Sequence, residues 1–170
     1  MIVVVLAGVG VLLKRKNKLF VILLVTCITF SGCGKSEANE ENVGKCTLLV
    51  ECSTINDNLE NLEKGLKGHI PGDGVILKEQ EVSFKKNDSV YDILYRELKK
   101  NNILMEASFT GTSAYIEGID NIYEFSCGQR SGWLYCVNGK YQQTSCSEYK
   151  VKDGDKIQWH YTCDLGEDVK

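Results

Sequence analysis

Histidine is scarce in this chain. His69 and His160 are its only imidazoles, and no two cysteines stand at Cys-x-x-Cys spacing. Structural zinc sites draw their ligands from such short-spaced pairs, so zinc is not expected. Phosphate loops are lacking too. Gly111-Thr112-Ser113 and the stretch from Gly128 to Gly132 contain glycine without the spacing that cradles a phosphate. There is no internal repeat and no basic stripe. With 20 basic against 23 acidic residues, nucleic acid is excluded as a partner. Catalytic chemistry is equally thin. Asp153 and Asp155 flank a turn glycine, His160 reads as a hydrogen-bonded or exposed strand residue, and no cysteine stands apart beside a histidine. An enzyme is not expected.

What is present begins with an address. Lys14-Arg15-Lys16-Asn17-Lys18 is a positive segment, Leu19 to Phe30 is apolar, and Phe30-Ser31-Gly32-Cys33 has the form of a bacterial lipobox. Small residues before a cysteine permit signal cleavage, after which the thiol carries lipid. The apolar run is shorter than the ~20 residues that span a bilayer, which favours a signal segment over a transmembrane anchor. Residues 1–32 are therefore expected to be a lipoprotein signal, with Cys33 the lipidation site. A second apolar run, Met1 to Leu13, precedes the basic block. Signal peptides do not begin this way, so translation is expected to start near Leu12 or Leu13, with residues 1–12 a misassigned start. Without residues 1–32 the chain keeps 16 basic and 23 acidic residues, a formal charge of −7. The expected location is the outer face of the bacterial cytoplasmic membrane. Residues 33–45, rich in Ser, Glu and Asn, read as a flexible tether.

The chain is organised around residues 131–163. Trp133, Tyr135 and Val137 alternate with Leu134 and Cys136, and Asn138-Gly139 follows as a tight hairpin turn. Ile157, Trp159, Tyr161 and Cys163 alternate with polar residues in a second strand, introduced by the turn Asp153-Gly154. The series Gly-Trp-Leu-Tyr-Cys-Val-Asn-Gly, then Tyr-x-Val-x-Asp-Gly-Asp-x-Ile-x-Trp, resembles the transcobalamin-like C-terminal domain family over about residues 46–169. That resemblance implies a β-grasp-like topology, as in the small C-terminal domain of the vitamin B12 carriers. It suggests a cobalamin-like ligand, although no cofactor follows with certainty.

Taken in order, Cys46 to Cys52 reads as the first strand. Asn56 or Asp57 then caps a short helix, with Leu59, Leu62 and Leu66 on one side. Gly74 to Lys85 is extended, with Val82 and Phe84 on one face. The clearest helix starts at Asp88 or Ser89, where Ser89-x-x-Asp92 has capping-box spacing. Val90, Tyr91, Leu94 and Leu98 form its apolar stripe, and Asn101-Asn102 ends it. Ile103 to Phe109 and Ala114 to Cys127 are further strands. Tyr115, Tyr123 and Phe125 add aromatic surface near Trp133. The whole is α+β: a β-grasp-like mixed sheet packed by one main helix, in one domain over residues 46–170.

Six cysteines follow Cys33: Cys46, Cys52, Cys127, Cys136, Cys146 and Cys163. In an exported domain they read as a disulfide framework. Cys46 and Cys52 sit roughly 20 Å apart on one strand at about 3.3 Å per residue, beyond disulfide reach. The β-grasp resemblance makes the first and last strands parallel neighbours and so favours Cys52 with Cys163. The family usually has no cysteine at the position of Cys136, which marks that residue as a free thiol or a variant bridge.

A non-catalytic lipoprotein binding a small molecule, such as a corrinoid, is the reading these residues favour. A protein–protein or cell-surface adhesion module is the alternative, and a thiol enzyme a remote one. The candidate ligand residues are Arg130, Trp133, Tyr135, Tyr141 and Gln142, on or beside the loops at 128–132 and 138–146. Sites commonly sit on loops held by a rigid sheet.

Overall fold

The computed structural model describes residues 41–169. The expected signal at 1–32, Cys33 and the tether as far as residue 40 lie outside the described residues. The elements are β1 (Asn42–Glu51), a 3-10 turn (Ser53–Asp57), β2 (Val75–Lys85), α1 (Val90–Lys100), β3 (Met105–Thr110) and β4 (Ser113–Ile119). There follow β5 (Ile122–Tyr123), β6 (Gly132–Val137), β7 (Lys140–Tyr141), β8 (Lys156–Thr162) and a 3-10 turn (Glu167–Val169).

Five strands form a mixed sheet in the order β2-β1-β8-β6-β7, and β3-β4-β5 form a second sheet. β1 and β8 run parallel, Leu48 opposite Ile157 and Val50 opposite Trp159. The first and last strands of the mixed sheet are thus parallel neighbours, as the β-grasp expectation requires. The α+β class with one main helix holds.

Period-two alternation explains the core. Cys46, Leu48 and Val50 of β1, Trp133, Tyr135 and Val137 of β6, and Ile157, Trp159 and Tyr161 of β8 are all buried in one cluster. Their neighbours Leu134, Gln158 and His160 are half-buried on the other face. Helix α1 adds Val90, Ile93, Leu94 and Leu98 to the same core. Ser89 and Asp92 make the reciprocal capping box that their spacing predicts. Tyr91, expected in the stripe, lies at its rim instead, stacked on Tyr95 and edge-on to Phe109.

Three further expectations are revised. β1 starts at Asn42, ahead of Cys46, because β2 is long enough to pair with it from Lys85 onward. Residues 42–45 are therefore strand rather than tether. The helix expected after Asn56 does not form. Helical turns occupy Ser53–Asp57, burying Ile55, while Leu59 is exposed and Gly65 takes a φ of 103° that interrupts any helix. The strand expected from Ala114 to Cys127 is broken after Ile119, where Asp120 and Asn121 both have positive φ.

Asn138 and Gly139 have φ of 54° and 74°, the two positive values a tight β6–β7 hairpin needs. Asp155 is buried beside this turn and accepts hydrogen bonds from Asn138 Nδ2 and the Lys152 N–H. The Asp153–Asp155 turn is thus tied to the hairpin.

Candidate functional site

β7 pairs with β6 only at Cys136 and Val137. The N-terminal half of β6 therefore keeps one edge free of strand pairing, and a cleft with two lobes opens there toward β4. The lobes share Tyr115, Trp133 and Leu134. The first, about 210 Å³, lies between the loop at 124–132 and the chain after β8, with Phe125, Arg130 and Leu165 on its walls. The second, about 200 Å³, is lined by Tyr135, Gln142, Cys146 and Trp159 among others.

Two features set the first lobe apart. Phe125 and Leu165 have φ of 67° and 51°, the left-handed region that costs an L-residue about 1–2 kcal/mol. Both are large apolar side chains left exposed, at 56% and 68%. Strained backbone persists where surrounding bonds over-determine it. Here the Phe125 N–H donates to Ser131 O and the Leu165 N–H to Arg130 O. The side chains thus held face the cleft mouth with Tyr115, itself 49% exposed. Burial and a 2.6 Å hydrogen bond to Glu124 push the Tyr115 hydroxyl up to about 12, so it stays a donor. Arg130 contributes a cation, 3.0 Å from Asp164 at the surface.

The second lobe is lined by aromatic rings. Trp133 and Tyr135 have partners at their tips: the Trp133 indole donates to Ile122 O at 2.8 Å, and the Tyr135 hydroxyl to Thr144 O. Trp159, stacked on Tyr135 at 5.3 Å and 2% exposed, has none for its Nε1 among the described residues. Buried N–H groups are overwhelmingly paired; this one is enclosed, with less than 1 Å² of the atom accessible.

The structure thus brings Arg130, Trp133, Tyr135 and Gln142 together around one cleft. Tyr141 is placed elsewhere. Its register opposite Cys136 puts it on the outer face of the sheet, against the His160 ring and donating to Val169 O at 2.7 Å. Tyr115 and Phe125 were legible as aromatic surface. Leu165 and the orphan Trp159 donor were not, because strain and missing partners leave no trace in a residue pattern.

One cysteine arrangement also escaped the sequence. His160 Nδ1 is 2.7 Å from Glu51 Oε1, and its Nε2 is 3.8 Å from Cys136 Sγ. Glu51 is remote in sequence, and only the parallel β1–β8 pairing places it there. Cys136 is 3% exposed and burial raises its thiol above the usual range, so the sulfur is a protonated, enclosed group. All six cysteines are free thiols in the structure. Cys163, expected beside Cys52, turns its sulfur to Thr54 Oγ1 at 3.8 Å. Among the described residues no three His, Cys, Asp or Glu side chains gather as metal ligands.

Parts of this chain are similar to other proteins. The model for a domain of unknown function (DUF4430) matches residues 87–163, which is less than half of the chain. No curated protein matches. Among solved structures, one of a protein from Ruminococcus gnavus ATCC 29149, described as a candidate metal binder, has a TM-score of 0.43 at 17% identity, covering 70% of this chain and 96% of that one. Haptocorrin in complex with Cbi has a TM-score of 0.51 at 11% identity, covering 78% of this chain and 29% of haptocorrin. At that identity the likeness is one of fold, and it makes the domain similar to part of haptocorrin, in a transcobalamin-like fold.

Proposed function

We propose that this chain is a non-catalytic cell-surface lipoprotein whose domain captures a small, cobalamin-like molecule in the cleft between β4 and β6. The observation that carries this reading is the cleft beside the unpaired edge of β6, lined by the rings of Tyr115, Trp133, Tyr135 and Trp159. An apolar cleft with a few placed polar groups is the usual form of a small-molecule site. Strained, exposed Phe125 and Leu165 at the mouth support it, and so does the shared fold with haptocorrin, whose structure holds Cbi. The match spans only 29% of haptocorrin.

The test is titration of cyanocobalamin into the purified protein, read by the visible absorption of the corrinoid and by calorimetry. A saturable absorption shift is expected. Phe125→Gly should weaken it while leaving stability unchanged or raised by about 0.5–1 kcal/mol, since glycine accepts the positive φ. No shift and no heat at high micromolar corrinoid would favour the second reading, an adhesion module. That reading has its own observation: Tyr95, Leu104 and Phe109 are large, exposed apolar residues around α1 and β3.

The surface location rests on Ser31-Gly32-Cys33 after an apolar run. Cys33→Ala should abolish metabolic labelling with a fatty acid, and unchanged labelling would contradict the lipoprotein assignment.

A further inference from the structure

We propose that Cys127 and Cys163 form a disulfide that ties together the two walls of the cleft's first lobe. Both sulfurs rest on the same short stretch of chain. Cys127 Sγ is 3.4 Å from Asn58 O and Cys163 Sγ is 3.8 Å from Thr54 Oγ1. Asn58 and Thr54 are themselves joined, the Asn58 amide donating to Thr54 O at 2.8 Å. The two thiols also influence each other, Cys127 raising the Cys163 thiol and Cys163 drawing the Cys127 thiol down against the effect of burial. The remaining cysteines have other surroundings. Cys136 faces Gln158 and His160, Cys146 faces Ala114 O, and Cys46 and Cys52 are buried on and just after β1.

The position of the pair gives the bridge its consequence. Cys127 lies in the loop that carries Phe125 and Arg130, and Cys163 immediately precedes Asp164 and Leu165 on the opposite wall. These walls already meet through Leu165 N–H to Arg130 O at 2.9 Å and the Arg130–Asp164 ion pair. A covalent link would hold the strained Phe125 and Leu165 in place.

The chemistry is thiol–disulfide exchange with a low-molecular-weight disulfide. One cysteine thiolate attacks a sulfur of that disulfide and expels the first thiol, leaving a mixed disulfide. The second cysteine then attacks the protein sulfur and expels the other thiol. The two cysteines lose two electrons to the small disulfide, which is reduced to two thiols that also take up both protons. Burial pushes the Cys163 thiol up to about 12 and raises that of Cys127. Since the thiolate is the attacking species, exchange in the folded protein is slow. The bridge belongs to folding rather than to a rapid switch.

The pairing is decided by peptide mapping of the full chain refolded with oxidised glutathione and alkylated without reduction. The expected result is a linked peptide pair containing Cys127 and Cys163 that disappears on reduction. A thermal midpoint that falls with dithiothreitol in the wild type, but not in Cys127→Ser or Cys163→Ser, is also expected. Linkage of Cys163 to Cys52, or complete alkylation of both Cys127 and Cys163 after refolding, would overturn the proposal. The importance of the bridge for ligand rests on the small-molecule reading, but the mapped linkage does not depend on whether cyanocobalamin binds.

Discussion

Trp133→Ala should cost about 3–5 kcal/mol of stability, the usual loss on truncating a large buried aromatic. Trp133 is 6% exposed and meets Tyr161 edge-on at 5.2 Å. Its removal leaves a cavity on the core face of β6 and takes the donor from Ile122 O. Small domains hold only about 5–15 kcal/mol in total, so the urea midpoint should fall far, followed through Trp159, the one tryptophan remaining. Because Trp133 lines both lobes, cyanocobalamin binding should be lost as well. Trp133→Phe keeps an apolar ring and should recover part of the stability. A loss below about 1 kcal/mol for the alanine variant would mean that Trp133 is not the packing centre described.

Tyr161→Phe should cost about 1–3 kcal/mol, the range for leaving buried polar partners unsatisfied. Tyr161 is fully buried, with its hydroxyl 2.7 Å from Tyr123 O and 2.8 Å from Ser131 Oγ. Burial, the largest cause, raises its pKa, so the proton is available to donate throughout the neutral range. Ser131 Oγ in turn accepts from the Cys127 N–H at 3.1 Å. The lone hydroxyl of Tyr161 therefore pins both ends of the loop carrying Phe125, Cys127 and Arg130. Amide exchange should accelerate across residues 123–131 in the variant, while the β1–β2 ladder keeps its protection. Unchanged exchange in the loop would show that it is held by other contacts.

What could be read from the chain was whatever is local. Ser89 and Asp92 are three residues apart, so the cap and helix α1 were visible. Asn138-Gly139 needs only its own two dihedrals. The alternation in β6 and β8 announced which face is buried, with two exceptions: Cys136, beside Tyr141, Gln158 and His160 on the outer face, and Thr162, which bonds Asp168. The leucines at 59, 62 and 66 misled, since a helical spacing has no force where Gly65 and Gly68 interrupt it and the preceding turn has already taken the core position through Ile55. The cleft was half legible. Trp133, Tyr135, Arg130 and Gln142 were marked by their place beside the hairpin. Tyr141 was marked for the same reason and fell on the other face, because register opposite Cys136 sends it outward. Leu165 reaches the site only through tertiary pairing with Arg130, and the Trp159 donor is notable only for a partner it lacks.

The most direct test of the cleft is a two-dimensional amide spectrum of the 15N-labelled protein titrated with cyanocobalamin. Two tryptophans give two indole N–H signals, and both residues line the second lobe. The account predicts that both indole signals shift, since both rings line that lobe. Backbone shifts should accompany it at residues 114–116, 124–134 and 162–166. Shifts confined to residues 95–105, or none at high micromolar cyanocobalamin with both indole signals in place, would contradict it.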